Sequence, residues 1–165
     1  MDTDRRLDLT IRRLEGQAEA EACARMMSAS EPWVTLQRGY EESLRLLGDP
    51  QREVYLAVEQ GALAGFLVLL MHGAFTGYIQ TVCVAPAMRN RGVGGRLLDF
   101  AEERILRDSP NVFLCVSSFN PAARRLYQRR GYQTVGELTD FIVAGHHEIL
   151  MRKTIGPLRG FRKGS

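Results

Sequence analysis

The chain reads as a single α/β domain, a mixed sheet flanked by helices, on three observations. Short apolar stretches of strand character and amphipathic stretches follow one another in the order β-α-α-β-β-β-α-β-α-β-β. No linker, internal repeat or low-complexity tract interrupts that order. The 165 residues are enough to bury a substantial core without disulfide or metal staples.

Residues 7–14 alternate, with Leu9 and Ile11 on one face and Thr10 on the other, and predict the first strand. Residues 17–28, rich in Ala, Glu and Met, predict a helix that stops near Glu31-Pro32, because proline disfavours helical geometry in the residue before it. A second helix is expected over 36–47, ended by Gly48-Asp49-Pro50. Residues 54–59 and 63–71, joined at Gln60-Gly61, predict a hairpin with a tight turn. Residues 78–84 are the next strand. In the helix expected over 93–107, Val93, Leu97, Ala101 and Ile105 recur every four residues, joined by Leu98, while Asp99, Glu102 and Glu103 face outward. Residues 111–116 form a buried strand. Asn120-Pro121 opens the last helix, with Asn as cap and Pro in the first turn, and Gly131 closes it. Residues 132–137 and 148–153 are expected to pair antiparallel around an irregular connection over 139–147. The domain is assigned to 1–155, and the Gly- and Arg-rich segment 156–165 is expected to be a flexible tail.

Composition narrows the function classes. With 45% hydrophobic and 25% charged residues the chain has the balance of a soluble globular protein. Its longest apolar run, residues 62–71, is too short to span a bilayer, and no apolar segment follows the charged start, so neither a membrane anchor nor a secretory signal is expected. Cys23, Cys83 and Cys115 are odd in number and irregularly spaced, which suits small core residues in a reducing compartment, hence a cytoplasmic protein. The net charge of +3 is mild, and its basic clusters lack the interleaved aromatics of a nucleic-acid surface. Arg124, Arg125, Arg129 and Arg130 fall in one helix, where a solvated face accounts for them as well as any ligand does.

The chemistry concentrates in residues 82–98. An apolar strand, Val82-Cys83-Val84, leads through Ala85-Pro86-Ala87-Met88 into Arg89-Asn90-Arg91-Gly92-Val93-Gly94-Gly95-Arg96 and then a helix. A helix entered through glycines exposes N–H groups that nothing inside the helix can satisfy, and arginines on either side favour a phosphate-bearing ligand there. A mononucleotide loop needs Lys-Ser or Lys-Thr after its glycines, and none follows. The dinucleotide fingerprint needs a further glycine where Leu97 stands.

The remaining pattern, Arg89-x-x-Gly92-x-Gly94 at a strand–helix junction, resembles the pyrophosphate loop of the GNAT superfamily of acyl-CoA-dependent N-acyltransferases. A second segment, Asn120-Pro121-Ala122-Ala123-Arg124-Arg125-Leu126-Tyr127-Gln128-Arg129-Arg130-Gly131-Tyr132, is similar to the family's Asn-x-x-Ala-x-x-x-Tyr-x-x-x-Gly-Phe/Tyr run, in the right order and at the right distance. The likeness extends over residues 7–153 and implies a mostly antiparallel twisted sheet. It also implies acetyl-CoA as co-substrate, no metal, and an amine acceptor.

On that resemblance, main-chain groups of Val82, Cys83 and Val84 pair with the pantetheine arm, and the Val84 N–H meets the thioester oxygen. Asn90, Arg91, Gly92, Val93, Gly94 and Gly95 cradle the pyrophosphate with help from Arg89 and Arg96. Tyr127 serves as general acid to the leaving thiolate. Asn120 is a helix cap and a pantetheine contact. Some relatives carry a glutamate base on the strand before the loop, but Tyr78 occupies that place here. Glu31 is therefore the candidate base, with Trp33, Tyr78, Asp140, His146 and His147 bordering the acceptor; each is also an ordinary loop or core residue, and deprotonation through water alone is equally open. His146, His147 and Glu148 could suggest a metal, but adjacent positions on an extended chain point to opposite faces, and a metal is rejected.

The reading is an N-acetyltransferase that moves acetyl from acetyl-CoA to a primary amine by direct attack in a ternary complex, with a small-molecule acceptor favoured. Two alternatives stand beside it: a protein N-terminal or lysine acetyltransferase, and a non-catalytic CoA-binding sensor. No nucleic-acid or membrane partner is expected. Family members are often dimers, so a homodimer is the assembly the resemblance implies.

Overall fold

A computed structural model describes residues 7–164. The elements are β1 (Leu9–Arg13), α1 (Gly16–Ser28), α2 (Tyr40–Leu47), β2 (Arg52–Glu59), β3 (Ala62–Leu70), β4 (Tyr78–Val84), a short 3-10 turn (Pro86–Met88), α3 (Val93–Leu106), β5 (Asn111–Ser117), α4 (Pro121–Arg129), β6 (Gln133–Leu138) and β7 (Glu148–Thr154). They form one seven-stranded sheet in the order β1-β2-β3-β4-β5-β7-β6. Every neighbouring pair is antiparallel except β4 and β5, which run parallel. The mixed, mostly antiparallel sheet expected from the element order is the sheet observed.

Two apolar layers hold it. On one face Val93, Leu97, Leu98, Ala101 and Ile105 of α3 pack on Leu67, Leu69, Ile79, Val112, Leu114, Val116 and Met151. On the other, Ala20, Cys23, Ala24 and Met27 of α1, with Leu46 and Leu47 of α2, cover Val54, Leu56, Phe66, Val68 and Cys83. The tight β2–β3 turn takes left-handed geometry at Gln60 (φ 50°) and Gly61 (φ 78°), the conformation that matches strand twist in a two-residue hairpin.

Two local expectations are corrected. The second helix begins at Tyr40 rather than residue 36, because residues 31–37 wind as successive turns that end with Gln37 in a left-handed conformation (φ 58°). Those turns bury Trp33 to 8% exposure against α1 and α2, so the side chain pins that connection to the core as well as facing the groove described below. Glu102 does not face outward. It is 9% exposed, and its carboxylate accepts from Tyr132 Oη (3.1 Å), Lys153 Nζ (2.8 Å) and Arg130 Nε (3.4 Å). Two cations and a phenol make that burial tolerable, and helix periodicity could not reveal partners from β7 and the end of α4.

Candidate active site

The site begins where β4 and β5 part. Only Tyr78↔Phe113 and Ile79↔Leu114 pair, after which the strands separate. Gly77 holds the closed end together. Its φ is +89°, Phe113 N donates to its carbonyl at 2.9 Å, and a Cβ there would lie 2.5 Å from both Asn111 O and Ile105 Cγ2. A register shift between Val68 and Leu69 of β3 then bends β4 as it leaves β5. Beyond it, Ala85 N donates to Ala64 O at 2.8 Å, so Ala85 points its N–H toward β3. Successive main-chain N–H groups of an extended strand alternate edges; the Val84 N–H is therefore turned away from β3, into the gap.

The chain next turns through Asn90 (φ 59°) and Gly92 (φ 86°), both left-handed, and enters α3 at Val93. No side chain caps that helix, and the bond that closes its first turn runs from Arg96 N to Gly92 O at 3.1 Å. The early N–H groups of α3 are thus left for an external acceptor at the positive end of the helix dipole. A Cβ at Gly94 would meet only Val84 Cγ2 at 3.6 Å, and one at Gly95 would meet nothing. The protein's own packing does not demand glycine at either position; the space above them belongs to a groove.

That groove has a volume of about 420 Å³ and runs from residues 92–95, past Val82, Cys83 and Val84, to Glu31 and Trp33. Arg89 and Asn90 border it, and the Arg89 guanidinium reaches Ser30 Oγ at 3.5 Å. Arg91 turns elsewhere, to Glu59 Oε1 at 3.4 Å and to the Met88 sulfur, and neither Arg91 nor Arg96 lines the groove. Burial pushes the Cys83 thiol up to about 12, so it stays protonated near neutral pH and is a poor nucleophile. The groove can hold an extended ligand with an anionic end at α3 and a carbonyl against β4.

Of the other expected residues, Glu31 lines the groove and the rest lie around it. Asn120 caps α4, its Oδ1 accepting from Ala123 N at 3.2 Å. Tyr127 sits on α4 against the α3-side core, edge-on to Tyr132 with ring centroids 5.8 Å apart. Burial raises its hydroxyl above the ordinary tyrosine range, keeping it a proton donor at neutral pH. Both carboxylate oxygens of Glu31 are engaged by Thr35, through Oγ1 at 2.9 Å and N at 3.2 Å. His146 stacks edge-on against Phe119 at 5.1 Å, and Asp140 Oδ1 accepts from Gly145 N at 2.8 Å, closing its own loop. The His147 Nδ1 lies 4.0 Å from Asp140 Oδ1 and has no hydrogen-bond partner among the described residues.

Tyr78 is placed differently from a groove-lining residue. It is half-buried, with the Cys115 thiol beside its hydroxyl, and it feels the charges of Glu148 and Arg38. Burial, the first cause, raises its hydroxyl well above its usual range. Glu148 itself is 3% exposed and accepts from Ser117 Oγ at 2.6 Å. In the sequence this carboxylate is only the third member of His146-His147-Glu148. Its one distinguishing sign there is an acid placed directly before the apolar run Ile149-Leu150-Met151.

Comparison with known proteins gives this geometry a family. A profile of the acetyltransferase (GNAT) family matches residues 15–132. The N-alpha-acetyltransferase RimI of Mycobacterium tuberculosis (strain ATCC 25618 / H37Rv) is 30% identical over 154 residues, covering 88% of this chain and 90% of that protein. The mycothiol acetyltransferase of Nocardia farcinica (strain IFM 10152) is 29% identical over 136 residues, 79% of this chain but 43% of the relative's length. Among solved structures, an aminoglycoside 6'-N-acetyltransferase complexed with coenzyme A superposes with a TM-score of 0.70 at 20% identity, over 90% of this chain and 98% of that one. The last likeness is one of fold. The profile and the near full-length relative go further: the chain belongs to the GNAT family and is an acetyl-CoA-dependent N-acetyltransferase.

Proposed function

We propose that acetyl-CoA lies along the groove and gives its acetyl group directly to a primary amine in a ternary complex. The observation that carries this reading is the groove's continuity, from the uncapped first turn of α3, along the free edge of β4, to Glu31 and Trp33. In it the pyrophosphate sits on the N–H groups of residues 92–95, with Arg89 adding charge. The Val84 N–H, directed into the gap, meets the thioester oxygen as negative charge builds there. Tyr127, protonated and on the α3 side, gives its proton to the departing sulfur. Asn120 contacts the pantetheine chain from its place at the start of α4. The three free cysteines support a cytoplasmic enzyme. Among the described residues no helix is long and apolar enough to cross a membrane.

For the acceptor, a small-molecule amine is the first reading. The second, the α-amine of a polypeptide, is favoured by the match to an N-alpha-acetyltransferase over most of both chains. Thiol release from acetyl-CoA, followed with a peptide bearing an N-terminal alanine, an aminoglycoside, polyamines and free amino acids, separates the two. One class is expected to saturate at low concentration, and release at the water rate with every amine would defeat the transfer reading. Gly94→Asp tests the cradle separately. A carboxylate placed where phosphate belongs is expected to abolish acetyl-CoA binding in calorimetry, and normal affinity would remove the groove assignment.

A further inference from the structure

Among the polar groups outside the acetyl-CoA groove, the most unusual is Glu148. It opens β7 directly opposite Ser117 at the end of β5. Ser117 lies three residues beyond Leu114, the last β5 residue paired with β4, on the stretch of β5 that has parted from β4. Strand alternation decides which side of the sheet it faces. Val112, Leu114 and Val116 join the α3-side core, so Cys115 and Ser117 project from the opposite face, and Glu148 lies with Ser117. Tyr127 packs against the α3-side core. A reacting centre held in the gap between β4 and β5 therefore has Tyr127 on one face of the sheet and the Ser117–Glu148 pair on the other.

The pair is also poorly compensated for a structural carboxylate. Glu148 is 3% and Ser117 4% exposed, and the hydrogen bond given to the carboxylate is that of one neutral hydroxyl. Among the described residues no cation lies within 4.0 Å of it. Glu102, the other deeply buried acid, has two cations and a phenol. Burying a carboxylate with one neutral donor is unfavourable, and an apolar side chain opposite Ser117 would avoid that cost.

We propose that Glu148, acting through the Ser117 hydroxyl, takes the proton that the acceptor ammonium must lose before it attacks the thioester. The proposal rests on the transfer reading above and adds the base that the sequence left unassigned. The ammonium gives a proton to Ser117 Oγ as the Ser117 hydroxyl proton passes to Glu148 Oε1. The neutral amine then forms the C–N bond at the thioester carbon, and the C–S bond breaks. Sulfur takes the Tyr127 proton, the second proton on the new amide nitrogen restores Tyr127, and Glu148 returns its proton to solvent. The groups around Glu148 bias it in known directions. Burial raises its carboxyl above the ordinary range, while the Ser117 hydrogen bond and the charge of Arg38, from the α1–α2 connection, oppose that rise. Tyr78 of β4 and Cys115 of β5 are its other titratable neighbours. Leu138, its partner on β6, is apolar, and His147 and Asp140 precede it in the chain.

The test compares wild type with Glu148→Gln, which keeps an acceptor for Ser117, and with Ser117→Ala. Melting temperature, acetyl-CoA affinity by calorimetry, and kcat/KM against pH are measured with the alanine peptide or aminoglycoside that wild type acetylates. Glu148→Gln is expected to bind acetyl-CoA normally, to lose about 10²-fold in kcat, and to lose the acid limb of the profile. Ser117→Ala removes the hydroxyl that passes the proton, so it is expected to bind acetyl-CoA normally and to lose kcat and the acid limb as Glu148→Gln does. Should Glu148→Gln fail to fold, the loss in Ser117→Ala alone decides. An unchanged kcat in Glu148→Gln, or an acid limb retained in Ser117→Ala, overturns the proposal. Failure of wild type to bind acetyl-CoA, or to acetylate any of these amines, instead overturns the transfer reading and the proposal with it.

Discussion

At the residue scale the site is governed by which protons are available. Tyr127 and Cys83 both have their ionised forms disfavoured by burial, so the first is a phenol able to donate and the second a thiol with no appreciable thiolate near neutral pH. A thiol held protonated fits the direct transfer proposed above better than an acetyl-cysteine intermediate. Tyr127→Phe keeps the ring that packs on Tyr132 and removes only the hydroxyl. It is expected to lower kcat about 10²-fold while leaving acetyl-CoA affinity and melting temperature nearly unchanged, as turnover assays, calorimetry and a thermal scan would show. An equal loss of affinity would mean that the hydroxyl binds rather than reacts. Asn120 is legible in the sequence as a helix cap before a proline, whereas Tyr127 is singled out only by the resemblance of its segment to the family's. Glu148 and Ser117 are 31 residues apart, and nothing local to either announces the other.

At the element scale, the gap between β4 and β5 depends on the two strands being tied at one end and free at the other. Gly77 supplies the tie, through close approach to Asn111 and Ile105 and a left-handed backbone that side chains resist. Gly77→Ala is expected to destabilise the fold by about 2–3 kcal/mol, read as a lower midpoint in urea denaturation. An unchanged midpoint would show that the tie is not needed. Strands and most helices were predictable because their apolar positions repeat with the period of the element. The start of α2 was not, since Trp33 and Leu36 are buried from turns rather than from a helix, and apolar spacing cannot distinguish the two. The parting of β4 from β5 has no sequence period at all and shows only in the register of the folded sheet.

At the scale of the whole molecule, arginine–carboxylate pairs tie elements together, one of them across 51 residues of sequence. Arg104 of α3 reaches Glu53 of β2 at 2.7 Å and Asp108 at 2.7 Å, and Arg12 of β1 reaches Glu19 of α1 at 2.6 Å. The hydrogen bonds of those arginines hold Glu19 and Asp108 below the ordinary carboxylate range. For Glu53 burial acts upward, but Arg104 and Tyr55 outweigh it and the net shift is downward. The folded state therefore takes up these protons less readily than the unfolded chain. Their contribution is present above the usual carboxylate range and is lost as pH falls through it. Glu148 runs the other way: its raised carboxyl favours the folded state at low pH, and that contribution fades as pH rises through its folded value. Three lowered acids against one raised one predict a melting temperature that drops between about pH 5 and pH 3, and a flat profile there would contradict the ledger of charges. Read alone, the chain already specified its α/β order, the glycine-entered helix and the capped segment bearing Tyr127. Each of these is written in neighbours a few residues apart. Which acids are buried, what partners they find, and which face of the sheet each catalytic candidate occupies were decided only when strand register and the β3–β4 shift brought remote residues together. Pairing across strands depends on the packing of the whole sheet, and no local stretch of sequence contains it.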